Sequence, residues 1–239
     1  MDLDRRDFVK LSSGLLVSAA VAESLLAEAS PAEASVKHRR IFELPHSKTK
    51  RIAWTVDDGF SNDAISRYLE FSHQHQIKFT HFVLSSVGNW KKHRTDIRYM
   101  IKHDLLQIGN HTRGHLDLRT LSSKKIHSQL MDCHHFIEDN FGVDARPFYR
   151  PPYGYYNSYV EQAAADVGYT TNTMWYGTLG DGGKVGKTGA RRAAKKWLTN
   201  GRIVIGHTNQ MVVPKLLPEF YKIIQSRGLN MVLLNEVFH

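Results

Sequence analysis

The chain has 239 residues, 41% hydrophobic and 23% charged, with a formal net charge of +9. This length and composition fit one sizeable α/β core better than two small domains. No run is long and apolar enough for a stable membrane span, and the single cysteine, Cys133, excludes an internal disulfide framework or a cysteine-rich metal site.

Residues 1–34 read as separate from the fold. Arg5-Arg6-Asp7-Phe8-Val9-Lys10 places paired arginines ahead of a weakly apolar, small-residue-rich stretch from Leu11 to Ala22. Small-x-small cleavage candidates follow at Ala20-Val21-Ala22, Ala27-Glu28-Ala29 and Ala32-Glu33-Ala34. The segment resembles a bacterial twin-arginine export signal, which implies the export machinery as a partner of the precursor and a periplasmic or extracellular destination at the cell envelope. An amphipathic first helix does not explain the Arg-Arg-x-Phe-x-Lys order. The segment holds three basic and six acidic residues, so without it the rest of the chain rises from +9 to +12. A basic exported domain suits an anionic surface or polymer such as cell-wall material. Nucleic acid is not expected, because Lys and Arg are scattered and no nucleic-acid-binding signature occurs. Residues 35–50 read as a linker, and 51–239 as the folded domain.

Within that domain, short β-rich apolar runs at 51–56, 78–85, 105–110, 146–150, 170–175, 202–206 and 230–234 predict seven strands. Segments of helical period separate them, near 62–75, 94–103, 122–140, 158–167, 189–198 and 213–226. In 122–140, Ile126, Leu130, Cys133 and Ile137 share one face behind a Ser122-Ser123 cap, and the thiol is expected half-buried. In the last segment Pro214 is tolerated near the start, whereas Pro218 puts continuity in question. Such alternation predicts a parallel sheet with helices outside, open or closed as a barrel, with ligands at the carboxyl ends of the strands.

The residues able to do chemistry follow strands. Asp57-Asp58-Gly59 ends the first, and here either a solvated turn or a pair dividing one task is expected. His111-Thr112-Arg113-Gly114-His115 follows the third. With 14 histidines in 239 positions, roughly 0.8 such i,i+4 pairs arise by chance, so position carries the meaning. Gly114 is expected to let the loop curl both imidazoles inward. One carboxylate and two imidazoles leave a fourth tetrahedral position open, as catalytic zinc sites do, and a second carboxylate can serve as base. Arg150-Pro151-Pro152-Tyr153-Gly154 is a rigid turn whose Tyr153 N–H would suit an oxyanion and whose Arg150 would hold a carboxylate. His207 follows the sixth strand. His73, His75, His134 and His135 read as solvated helix faces. Gly182-Gly183-Lys184-Val185-Gly186-Lys187-Thr188 ends like a phosphate loop, but Asp181 occupies its first glycine position and would repel phosphate.

Thr55-Val56-Asp57-Asp58-Gly59, HTRGH, RPPYG and Ile203-Val204-Ile205-Gly206-His207, in this order, resemble the motifs of the polysaccharide deacetylase family, the NodB-homology carbohydrate esterases, over about residues 50–237. The resemblance implies a distorted seven-stranded (β/α) barrel and a hydrolase that removes N-acetyl groups from amino sugars of a polysaccharide, whether peptidoglycan, chitin-like or exopolysaccharide. It implies a divalent metal on Asp58, His111 and His115, zinc first and cobalt or a similar ion as the alternative. Asp57 matches the catalytic base, Arg150 the residue orienting it, Tyr153 the oxyanion position, His207 the catalytic acid, and Ile205 the acetyl-pocket leucine. The family's fourth motif, Asp-x-x-Asp-Trp, is altered: Trp175 precedes it, Thr178 replaces the first aspartate, Asp181 keeps the second, and Gly182 replaces the tryptophan. That alteration bears on a substrate wall at Trp175 and on the tuning of His207 by Asp181. Hydrolysis of another non-peptide C–N bond, as in a cyclic amide, and a non-catalytic glycan-binding descendant are the alternatives.

Overall fold

The computed structural model describes residues 37–238, and the export-type segment 1–34 lies outside the described residues. In chain order the elements are β1 (Arg39–Ile41), β2 (Arg51–Asp58), α1 (Asn62–His75), β3 (Phe79–Val83), α2 (Asn89–Lys92), α3 (Arg94–Lys102), β4 (Leu106–Asn110) and α4 (Ser123–Phe141). They continue with β5 (Phe148–Tyr149), α5 (Ser158–Asp166), β6 (Thr171–Thr173), β7 (Gly177–Thr178), α6 (Lys187–Trp197), β8 (Ile203–His207), α7 (Leu217–Ser226) and β9 (Asn230–Met231).

Every ladder between these strands is parallel, in the order β1-β6-β5-β4-β3-β2-β8-β7, with β9 added beside the start of β2. The sheet curls far enough that the chain past β1 reaches the residues just before β8. Past β1, Glu43 forms an antiparallel bridge with Arg202, and the Leu44 N–H donates to the Gly201 carbonyl at 2.8 Å. Ile41, Ala53, Phe82, Phe148 and Ile203, from five different strands, accordingly pack in one cluster inside the curl. The larger core lies outside it, where Trp54, Val56, Phe79 and Val83 meet Ile65, Tyr68, Ile126, Leu130 and Phe220 of the helices. This is the α/β barrel architecture, distorted and incompletely closed.

The helices start and stop where local chemistry provides partners for their terminal groups. Ser61 Oγ accepts from Ala64 N at 3.2 Å at the start of α1, and Asn157 Oδ1 accepts from Val160 N at 2.9 Å before α5. Gly142, at a φ of 74°, closes α4 with its N–H on the Glu138 carbonyl, the usual left-handed glycine stop.

The seven expected strands and six expected helices are all present, with shifted ends. Residues 39–41, read as linker, are instead a strand paired with β6, because Ile41 and Leu44 bury against the interior cluster. Strand β7 and the one-turn helix α2 are additions that the sequence pattern does not announce. The last helical segment divides into a 3-10 turn, Pro214–Leu216, and then α7, which carries Pro218 in its first turn where proline is tolerated. Cys133 is fully rather than half buried, donates to the Val83 carbonyl at 3.2 Å, and burial pushes its thiol up to about 12. His134 is no solvated residue either: it is buried, with Nδ1 at 3.0 Å from the Tyr169 hydroxyl, whereas His73, His75 and His135 are exposed.

Candidate active site

The pairing registers gather the candidates. Asp57 lies beside Phe82 of β3 and His207 of β8, and Asn110, just before His111, lies beside Val83 and Tyr149. The carboxyl ends of β2, β4, β5 and β8 therefore surround one cleft of about 510 Å³.

On β2, alternation turns Ala53, Thr55 and Asp57 toward the interior and Trp54 and Val56 toward the helices, so Asp58 should point away from Asp57. It does not, because the strand breaks there. Asp58 takes a left-handed φ of 78° and Gly59 a φ of 129°, which bring the second carboxylate round into the same cleft. Trp90 fixes this turn by donating from Nε1 to the Asp58 carbonyl at 2.6 Å. Only glycine fits next, since a Cβ at Gly59 would fall 2.1 Å from Trp90 Nε1.

The two aspartates then acquire different partners. Asp57 Oδ1 accepts from Arg150 Nη1 at 2.6 Å. Arg150 is wholly buried, donates also to the Thr173 carbonyl at 2.7 Å, and lies over the Phe82 ring at 4.2 Å. Burial lowers the guanidinium's pKa from its ordinary value, although the Asp57 carboxylate works against this.

Asp58 faces imidazoles instead. Its Oδ1 is 3.3 Å from His111 Nε2 and 3.4 Å from His115 Nε2. His111 Nδ1 is committed to the Arg150 carbonyl at 2.8 Å, which leaves Nε2 as the nitrogen presented to the cleft. The other Asp58 oxygen, Oδ2, accepts from Asn209 Nδ2 at 2.6 Å. Burial works to raise the Asp58 carboxyl, but His111 and the Asn209 amide outweigh it and hold the group well below the ordinary range. His111 is raised: burial opposes its charge, and the carboxylates of Asp57 and Asp58 overcome that. His115 is lowered by burial and then by the neighbouring His111.

The loop that brings the two histidines together curls at residues other than Gly114. Thr112 and His115 carry the left-handed φ values, 69° and 53°. Asn110 prepares the first by accepting from Thr112 N at 2.8 Å while its Nδ2 donates to the Leu130 carbonyl at 2.9 Å. Gly114 serves through its N–H, which donates to Gln129 Oε1 at 2.8 Å.

Asp58, His111 and His115 form a group whose ligand atoms lie within 4.8 Å of one another. Asp58 Oδ1 is buried and has no hydrogen-bond partner. An unpartnered buried carboxylate oxygen facing two imidazole nitrogens fits a divalent cation, and the donor set of one oxygen and two nitrogens fits zinc or cobalt.

His207 stands across the cleft. Its Nδ1 is 3.0 Å from Asp181 Oδ1, and its backbone N–H donates to Asp181 Oδ2 at 3.1 Å. Asp181 is fully buried, and Gln210 Nε2 ties its carbonyl at 3.0 Å. Burial alone would lower His207, but the Asp181 hydrogen bond and the charges of Asp57, Asp181 and Asp58 raise it. Gly182 lies against that imidazole, since a Cβ there would sit 3.0 Å from His207 Cε1. Tyr153 has a left-handed φ of 61° in the 3-10 turn Pro152–Gly154, with its ring edge-on to His115 at 4.5 Å. Trp175 and Ile205 line the cleft, as does Thr178. All the candidate residues therefore belong to one locality. Arg150 stands behind the cleft wall and touches it through Asp57, and Asp181 is joined to it through His207; the others line the cleft itself. Sequence reasoning misses Asn209. Its one signal is its place two residues beyond His207, at a strand end.

A family model described as polysaccharide deacetylase matches residues 45–172. A peptidoglycan-N-acetylglucosamine deacetylase from Bacillus cereus is 29% identical over 192 residues, 76% of this chain and 86% of the relative. Another, from Listeria monocytogenes, is 27% identical over 212 residues, 83% of this chain and 41% of the relative. The chain spans about half the length of several curated relatives that it matches. Among solved structures, a CE4 family pseudoenzyme from Bacillus anthracis is similar in fold, with a TM-score of 0.73 at 21% identity over 85% of this chain and 70% of that one.

Proposed function

Because the chain belongs to the polysaccharide deacetylase family, we propose that it is an exported, metal-dependent hydrolase that removes N-acetyl groups from the amino sugars of a polysaccharide. The observation that carries this reading is the division of the adjacent aspartates, Asp57 on the Arg150 guanidinium and Asp58 between two imidazoles. Asp58, His111 and His115 would hold the cation, with zinc favoured over cobalt. A divalent cation there supplies Lewis-acid polarisation of a carbonyl and acidifies water.

The chain's own groups do the rest. Arg150 occupies Asp57 Oδ1, so Oδ2 is the oxygen left to take a proton from the attacking water. The Tyr153 N–H is the backbone donor for the oxygen of the acetyl carbonyl as it gains charge. His207, with Nδ1 on Asp181, carries on Nε2 the proton for the departing sugar amine. Water and the acetamide become acetate and a free amine. Ile205 and Trp175 bound the space beside the acetyl group.

Retention of Asp57, Asp58, His111, His115 and His207 supports catalysis over glycan binding alone, which needs no such set. Acetate release from N-acetylated polymers, measured with and without chelator, tests the proposal, and a chain inert toward peptidoglycan, chitin and exopolysaccharide alike would overturn it. The Arg5-Arg6 pair supports twin-arginine export. Changing both arginines to lysine should hold a tagged full-length precursor in the cytoplasm upon fractionation, and unchanged export would refute that route.

A further inference from the structure

The cleft does not end at His115. The His115 ring meets Tyr153 at 4.5 Å, and Tyr153 meets Tyr155 at 5.5 Å with the rings 38° apart. These tyrosines are 58% and 45% exposed. Arg119 lies over the Tyr155 ring at 4.0 Å. Its Nε and Nη2 are held by Asp117 at 3.0 and 2.7 Å, and Asp117 also accepts from Arg119 N at 3.1 Å at the start of the 3-10 turn Leu118–Thr120. The result is a ledge of two aromatic rings, one braced by a fixed guanidinium, that leads outward from the floor of the cleft.

Folding does not account for this ledge. Tyr153 holds a left-handed φ, a conformation that costs a non-glycine residue and persists only where its surroundings impose it. The ring so placed remains mostly in water, where it contributes little burial. Tyr155 is likewise held in place while nearly half exposed. Fixed, outward-facing tyrosines present a flat apolar face with a polar tip and little conformational entropy left to lose on binding.

We infer that Tyr153, Tyr155 and Arg119 form a ring-stacking subsite for the sugar units of a glycan chain flanking the residue in the cleft. This rests on the proposed function and deepens it, because it names the residues that hold the sugars flanking the reacting unit. Continuity decides the occupant: the ledge begins at a histidine whose Nε2 faces Asp58, so whatever lies on it also enters the cleft. Sugar rings offer C–H faces to the phenol rings and hydroxyl edges to the tyrosine hydroxyls and the guanidinium. A ligand confined to the cleft would not reach Tyr155.

The test measures binding separately from turnover. Chitin oligomers of two to six units are titrated calorimetrically into the otherwise complete, metal-loaded protein carrying His207→Gln to suppress hydrolysis. Affinity should rise with chain length. Tyr155→Ala should reduce the gain of hexamer over dimer roughly threefold to tenfold, Tyr155→Phe should keep most of it, and Arg119→Ala, which frees the ring, should reduce it. No length gain in the parent protein, or an undiminished gain in both Tyr155→Ala and Arg119→Ala, would overturn the subsite. A length gain lost in Tyr155→Ala, in a chain that releases no acetate from any polymer, would uphold the ledge and reject the deacetylase reading.

Discussion

Arg150 and His207 both depend on the carboxylates packed around them. Arg150 has no exposed surface, and taking its charge out of water is repaid only by close, multiple partners. Asp57 and the carbonyls of Thr173 and Met174 supply them. His207 leans on the buried Asp181 carboxylate, with the charges of Asp57 and Asp58 adding to it. Its pKa lies above the ordinary histidine value of 6.5, so the pair contributes stability below that pH and loses it as pH rises through the folded-state pKa. Asp181→Asn removes the charge while leaving a group able to hydrogen-bond, and should lower the His207 pKa. The alkaline limb of the kcat profile should then move to lower pH, with the imidazole proton resonances of His207 titrating earlier in parallel. The acidic limb should stay. If KM rose with both limbs fixed, Asp181 would only shape the groove.

At the scale of elements, the end of β2 shows how a strand supplies two acids to one site. The sequence displays Asp-Asp-Gly, and glycine after aspartate announces a turn, but nothing in it gives the sign of φ at Asp58. That sign depends on Trp90, 32 residues away, whose Nε1–H holds the Asp58 carbonyl. Gly59→Ala should therefore act through both residues. The left-handed backbone and a Cβ falling on the indole should together cost at least about 2 kcal/mol. For a domain of this size that lowers Tm by roughly 4–8 °C, and Trp90 fluorescence should shift as the indole yields. An unchanged Tm would mean that the turn is not held as described. The same contrast governs what is legible elsewhere. The longer strands and helices declare themselves, since burial of a face imposes the period. The strand β1, Arg39-Arg40-Ile41, and the single turn α2 carry too little pattern. Sequence reasoning puts the curl of the histidine loop at Gly114 because glycine is the visible residue with freedom, whereas Asn110 creates the conformation at Thr112 by hydrogen bonding. Asn209 escapes notice because an amide two places past a histidine has no distinguishing neighbours.

For the whole molecule, the site is a long-range object. The Asn209–Asp58 hydrogen bond spans 151 residues, the Arg150–Asp57 pair 93, and the His111–Arg150 bond 39. These groups come together only when the sheet has curled, so a ligand that needs all of them binds the native state and not the unfolded chain. Stability should then rise with free metal by mass action, by about 2.7 kcal/mol at a hundredfold excess over Kd, or roughly 5–11 °C in Tm. Zinc or cobalt should raise Tm, and a chelator should reverse the rise. Asp58→Ala should abolish the response, because it removes the one carboxylate oxygen of the proposed ligand set. Asn209→Ala should preserve the response but require roughly 10–100 times more metal, as expected when a ligand loses the hydrogen bond that orients it. The comparison separates a true site from nonspecific binding, since the exposed histidines His73, His75 and His135 are untouched in both variants. A Tm that rises equally in the parent protein and in Asp58→Ala would place the cation elsewhere.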